Sequence, residues 1–194
     1  MKMPTGPRFA VLALLLVLVM MATRFKHFGD MLHLPDASMA VFFLGGVYLR
    51  RHWAFVGMLL LAVALDWVSI TYAGVGDFCV TAAYAFLPLA YGVLWYAGRG
   101  YAPKLTGQFH SLAGAFGVGF VAAALSFAIS NGSFYWLGGR YPDPNVAQYL
   151  ARLWQWGPLF VRTTLSYIAA ALIVHAVCAR LAAHSASTHH HQEA

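Results

Sequence analysis

The chain has 194 residues, of which 61% are hydrophobic and only 9% are charged. This composition excludes an ordinary soluble domain and predicts a polytopic membrane protein built as one membrane domain. The formal charge of +6 does not indicate a nucleic-acid partner, because the basic residues lie in short loops beside apolar segments, where they report topology and contact with the lipid bilayer.

Six apolar segments predict an all-α membrane protein with six transmembrane helices. The first segment follows a basic start, as in a signal peptide, but the further spans favour a retained helix. A single domain is expected over residues 1–183, followed by a disordered polar tail over residues 184–194 with a histidine triplet to which we assign no role. The predicted spans cover residues 9–22, 37–49, 53–73, 78–97, 109–129 and 158–180.

The basic residues of the loops predict the orientation. Cytoplasmic loops of membrane proteins are enriched in Lys and Arg. With the N-terminus inside, the cytoplasmic positions hold seven such residues and the outer loops four, so we expect a multi-pass membrane protein with both termini cytoplasmic. The seven are Lys2, Arg8, Arg50, Arg51, Arg99, Lys104 and Arg180, and the four are Arg24, Lys26, Arg140 and Arg152.

An aspartate lies inside the third apolar span. A carboxylate there is costly and should face the protein interior with a partner. Asp66 is seven residues before the expected end of its span and Tyr84 is seven residues into the next, roughly 10 Å in each case at helical rise. Because the two helices would be antiparallel, the pair should lie at one depth and form a carboxylate–phenol hydrogen bond. That bond could serve a pocket, or only lock two helices together.

A solitary thiol lies between Asp66 and Tyr84. We predict Asp77 as the N-cap of the fourth helix, with Cys79 in the first turn and Pro88 as a kink farther along. The positive end of the helix dipole would favour the thiolate, the form that binds metals. An isolated cysteine in an apolar segment can equally be a packed side chain. Cys178 is expected on the opposite side of the membrane, too far away for a disulfide.

Two outer loops complete the predicted site. Residues 24–36 form the first, which could cover a pocket, and His27 is its candidate ligand. Residues 131–152 form the second, whose aromatic residues suit the wall of a pocket. These features predict an outward-facing binding cavity. Because the sequence has no nucleotide-binding, zinc-protease, serine-hydrolase or Cys-x-x-Cys motif, a binding component or a facilitator is favoured.

Six helices with an outward pocket under loop lids resemble the S-component of an energy-coupling-factor vitamin transporter. Within that group, Asp66, Cys79, Tyr84 and His27 resemble the BtuM family, solitary proteins regarded as cobalamin transporters of Gram-negative bacteria. The resemblance implies that the Cys79 sulfur coordinates the cobalt of cobalamin, the transported ligand, with no free metal ion involved. It implies that Asp66 and Tyr84 support the site from beneath and that His27 lies near the other face of the cobalt or the corrin rim.

The resemblance also implies a mechanism. A thiolate on cobalt would displace the dimethylbenzimidazole arm and weaken the bond to a cyanide opposite, so that reductive loss of cyanide would be an accessory activity of a transporter. A periplasmic or outer-membrane supplier of cobalamin would be a partner.

Docking on a shared coupling module is not expected. S-components that dock carry an Ala-x-x-x-Ala pattern on the first helix, whereas here Ala10 and Ala13 are three apart.

Three other interpretations stay open on the residues alone. The chain could carry another vitamin, which needs no thiol. It could be a membrane thiol enzyme, or a haem protein with Cys79 and His27 as axial ligands. It could also be a subunit of a larger membrane complex, in which Asp66 and Tyr84 only hold helices together.

Overall fold

A computed structural model of the protein describes residues 6–24 and 34–192, with the side chains of Cys79 and of residues 186–192 excepted. Over these residues the fold is all-helical, as predicted, and contains no strand. The α-helices are α1 (Pro7–Arg24), α2 (Ser38–Tyr48), α3 (His52–Tyr72), α4 (Leu87–Tyr101), α5 (Phe109–Leu137) and α6 (Val146–Gln192). Short 3-10 helices cover Asp77–Cys79, Ala82–Phe86 and Ala102–Lys104.

Four of the helices are long and apolar enough to cross a bilayer, which indicates a multi-pass membrane protein. They are α1, α3, α5 and the part of α6 up to Ser185. Their outer faces expose large apolar side chains such as Leu60 and Leu181, which a membrane would cover.

Helix α2 is the centre of the bundle. It has 11 residues, nearly all of them buried, and it contacts every other α-helix. A helix that is apolar all round is stable only when it is surrounded by protein or lipid. The other helices enclose α2, which explains why its sequence is apolar on all sides.

Glycines allow α2 and α4 to approach each other closely. A Cβ atom on Gly46 would collide with the backbone carbonyl of Trp95, and one on Gly98 would collide with the carbonyl oxygen of Phe43. Backbone contact of this kind is typical of small residues at membrane helix interfaces.

The expected start of the fourth helix is wrong. Residues Asp77–Cys79 form only a 3-10 turn, and Thr81 is extended at φ −137° and ψ 178°. The hydroxyl of Thr81 accepts a hydrogen bond from Ala83 N at 3.3 Å, which caps the next 3-10 helix. Cys79 is therefore not in the first turn of an α-helix, and the helix-dipole argument for its thiolate does not apply.

Pro88 also has a different role from the predicted kink. It lies in the first turn of α4. Since the first N–H groups of a helix have no partner within the helix, a proline costs little at this position and its fixed φ favours the helical start.

The predicted loop over residues 131–152 is mostly helical, which corrects that prediction. Helix α5 continues to Leu137 and α6 begins at Val146. The connection is closed by Tyr135, whose hydroxyl donates to Gln148 Oε1 at 2.6 Å and accepts from Asn145 N at 2.9 Å. The end of α5 falls at Gly138-Gly139, and Gly139 has a φ of +66° that favours glycine.

Helix α6 extends past the predicted sixth span in both directions. It contains Pro158 in its interior, where the span was expected to begin, and it continues to Gln192 through residues that were expected to form a disordered tail.

Candidate functional site: a charged network beneath a cavity

Asp66 on α3 accepts three hydrogen bonds. Arg24 Nε donates to Oδ1 at 2.7 Å, and Arg24 Nη2 donates to Oδ2 at 2.6 Å. The hydroxyl of Tyr84 donates to Oδ2 at 2.6 Å. The hydrogen bond predicted between Tyr84 and Asp66 is therefore confirmed, and Asp66 has a cationic partner as well, in the two-bond arrangement typical of strong Arg–carboxylate pairs.

Arg24 is the residue that sequence reasoning missed. It was assigned to an outer loop, because the first span was expected to end at residue 22, whereas it is the last residue of α1. Its side chain is only 10% exposed. The one sequence signal for such a residue was the rule that a carboxylate in an apolar span needs a partner.

The remaining donors of Arg24 connect two further helices. Its Nη1 donates to Ser38 Oγ at 2.8 Å and to Tyr91 Oη at 2.9 Å. Ser38 in turn donates through N and Oγ to Asp36 Oδ1, at 2.9 and 2.6 Å. One guanidinium thus links α1, α2, α3 and α4, and its charge is balanced mainly by Asp66, since Asp36 Oδ2 is 3.8 Å from Nη1.

A cavity of about 640 Å³ lies against this network. Asp36 and Tyr84 contribute to its wall from the network, and the rings of Phe78, Phe134 and Trp156 contribute from elsewhere. The volume is within the range of small-molecule sites, and apolar walls with a few polar groups are typical of them.

The predicted site residues are brought together only in part. Asp66 and Tyr84 meet directly. The 3-10 turn that contains Cys79 borders the cavity, because its neighbour Phe78 lines it, while the Cys79 side chain and all of His27 lie outside the described part of the chain. Cys178 on α6 is exposed and forms no disulfide.

Metal ligands do not cluster in the described part of the chain. No three His, Cys, Asp or Glu residues within it are grouped so that they could hold a metal ion.

Two polar atoms on the α5–α6 side of the cavity have no hydrogen-bond partner among the described residues. They are Asn131 Oδ1 and Arg152 Nε, both buried, and both residues line the cavity. The guanidinium of Arg152 lies 4.8 Å from the centre of the Tyr141 ring. Sequence reasoning placed these residues in a loop and did not select them, because nothing in their spacing distinguishes them before the helices are known.

A scan against protein-family models finds none that matches the chain, and a search of curated proteins finds no match either.

Proposed function

We propose that the protein is a cobalamin carrier of the bacterial inner membrane, which holds the corrinoid in an outward-facing pocket through a bond between the Cys79 thiolate and cobalt. The observation that carries this proposal is the position of the cavity. It borders both the turn that contains Cys79 and the Tyr84 side chain that rests on Asp66, in a bundle whose composition is that of a membrane protein.

The hydrogen bonds of the network make Asp66 and Tyr84 poor ligands for cobalt. Both carboxylate oxygens of Asp66 are occupied by Arg24 and Tyr84, so Asp66 is not free to coordinate cobalt. The proton of the Tyr84 hydroxyl is directed at Asp66. A thiolate is a soft, polarisable donor suited to a transition metal, and His27 is the candidate on the opposite face of the corrin.

The cavity is smaller than a whole cobalamin, so the proposal requires that the nucleotide arm lies outside it. Pockets of about 300–1,000 Å³ suffice for drug-sized ligands, and a cobalamin with its nucleotide arm is larger than these. A cavity of about 640 Å³ would hold part of the corrin ring and leave the arm outside. Displacement of the arm from cobalt by the Cys79 thiolate is consistent with this arrangement.

Loss of cyanide would follow from the same bond. A thiolate opposite cyanide donates electron density to cobalt and weakens the cobalt–carbon bond. One electron from an added thiol or other one-electron reductant converts cobalt(III) to cobalt(II), and cyanide leaves with the bonding pair as the cyanide ion. The protein would then be a carrier with an accessory decyanation activity.

Orientation and energetics complete the proposal. Six spans require that α2 and the segment 82–101 also cross the membrane, with α2 enclosed by other helices. With six spans, the larger number of basic residues on the side of the termini favours a cytoplasmic location for both termini. Without the small-residue pattern on α1 that serves docking, we propose movement down the gradient of cobalamin, which a periplasmic or outer-membrane protein would supply.

The test is a titration of the purified protein with cyanocobalamin, followed by visible absorption. We expect the spectrum of a base-off, thiolate-bound corrinoid. The Cys79→Ala variant should lose this spectrum, whereas Cys178→Ala, which removes an exposed thiol on α6, should retain it. A base-on spectrum unchanged from free cyanocobalamin, or the same spectrum with Cys79→Ala, would refute the proposal.

A carrier for a smaller vitamin is the second candidate, because the cavity volume and its aromatic wall also fit a drug-sized, ring-containing ligand. Such a carrier needs no thiol. Tight binding of a flavin or a thiamine-type vitamin that is unchanged in Cys79→Ser would favour it.

A further inference from the structure

We infer that the α5–α6 wall of the cavity contains a recognition site for a primary carboxamide, formed by Asn131 Oδ1 as acceptor and Arg152 Nε as donor. We call these two residues the amide site. The inference deepens the proposed function and depends on it only for the identity of the molecule that carries the carboxamide.

Contacts on either side place the amide site at one level of the bundle. On one side, Tyr135 of α5 stacks on Tyr149 of α6 with ring centres 5.6 Å apart. On the other side, Phe127 of α5 meets Phe160 of α6 at 5.2 Å. The two helices are antiparallel neighbours joined by a short connection, and both residues of the amide site lie between these contacts and line the cavity.

Both atoms of the amide site need a partner. Buried polar atoms in folded proteins are almost always hydrogen-bonded, and an unpaired one costs free energy. Asn131 Oδ1 and Arg152 Nε are buried at the cavity wall without one among the described residues. A bound molecule that supplies a donor to the first and an acceptor to the second would remove both costs.

A primary carboxamide satisfies this pair of requirements with one planar group. Its NH₂ donates to Asn131 Oδ1, and its carbonyl oxygen accepts from Arg152 Nε. A carboxylate or a phosphate offers acceptors only, so it would leave Asn131 Oδ1 unpaired and facing an anion. The Tyr141 ring beneath the guanidinium helps to hold Arg152 in place.

Within the proposed function, the carboxamide belongs to the rim of the corrin ring, which carries several acetamide and propionamide side chains. The amide site would then select corrinoids with an intact carboxamide at the position that reaches it. A corrinoid with a carboxylate at that position would be rejected.

The test compares cyanocobalamin with its monocarboxylic acids, each of which has one rim carboxamide hydrolysed to a carboxylate. We expect at least one of these acids to bind the purified full chain about tenfold or more weakly than cyanocobalamin. In Asn131→Ala this difference should disappear. In Arg162→Met, which changes an exposed arginine of α6 outside the cavity wall, it should be unchanged.

Benzamide and benzoate provide a second measurement that does not depend on corrinoid binding. Benzamide should raise the thermal unfolding midpoint of the wild-type chain more than benzoate, and Asn131→Ala should remove the difference. If no corrinoid binds but benzamide is preferred in this way, the amide site stands and the cobalamin proposal fails.

Three results would overturn the amide site while leaving the cobalamin proposal intact. Equal binding of cyanocobalamin and all its monocarboxylic acids is the first. Tighter binding of an acid than of cyanocobalamin is the second, because it would indicate that the cavity wall offers hydrogen-bond donors and no acceptor at this position. Discrimination that persists in Asn131→Ala is the third.

Discussion

Replacement of Arg24 by methionine tests whether the ion pair with Asp66 holds the bundle together. Methionine keeps much of the apolar stem of the side chain but removes two charge-assisted bonds to Asp66 and the bonds to Ser38 and Tyr91. Removal of one partner of a buried pair costs about 3–5 kcal/mol, because the other charge stays buried. Asp66 is 25% exposed, so partial hydration places the expected loss near the lower value.

Thermal unfolding of the purified protein in detergent measures this loss. For a chain of this length, 1 kcal/mol corresponds to about 2–4 °C, so we expect Arg24→Met to lower the unfolding midpoint by about 6–12 °C. The matched control is Arg162→Met, which changes an exposed arginine and should shift the midpoint by about 2 °C or less, as surface substitutions usually do. The double variant Arg24→Met/Asp66→Leu removes both charges and should recover most of the loss.

Two outcomes would refute the reasoning. If Arg24→Met is no less stable than Arg162→Met, the ion pair does not stabilise the bundle. The second outcome concerns the single variants Arg24→Met and Asp66→Leu. If the double variant lowers the unfolding midpoint by the sum of their two shifts, the side chains act independently and the hydrogen bonds between them carry no coupling energy.

Two further substitutions test the packing around the site. Tyr84→Phe removes one hydrogen bond to a charged group and should cost about 1.5 kcal/mol, since Asp66 keeps both bonds from Arg24; an unchanged unfolding midpoint would contradict this. Gly46→Ala should destabilise the chain by about 1–3 kcal/mol in the same assay, because the new Cβ would meet the Trp95 backbone, while Gly57→Ala, with open space around its Cβ, should not.

The apolar helices could be predicted from the sequence because their signal is local. Runs of apolar residues approximately locate the α-helices of the described part of the chain. The hydrogen bond between Asp66 and Tyr84 was predicted correctly, although the premise of that prediction was wrong. Tyr84 lies in the 3-10 helix Ala82–Phe86 and not in an α-helix that begins at Asp77.

The boundaries that depend on tertiary contacts were not predictable. The end of α5 is set by Tyr135, whose hydroxyl bonds to residues ten and thirteen positions away. The late start of α4 follows from the cap at Thr81 and the position of Pro88 in the first turn. Both features override the apolar pattern of the sequence. That pattern alone favours an uninterrupted fourth helix and a long loop after the fifth helix.

The partners of the charged groups could not be predicted from the sequence either. Arg24 pairs with Asp66, 42 positions away, and the cavity wall combines residues from α5 and α6. Pairings at such separations follow from helix packing, which a single sequence does not determine. The physical rule that a buried carboxylate needs a cation indicates that a partner exists, without identifying it.

The bond between sulfur and cobalt is the central claim, and X-ray absorption at the cobalt edge of the corrinoid-bound protein tests it most directly. We expect a sulfur atom bonded to cobalt in the wild-type protein and in Cys178→Ala. In Cys79→Ala we expect nitrogen, oxygen or carbon in place of that sulfur. A cobalt bonded only to nitrogen, oxygen or carbon in the wild-type complex would contradict it.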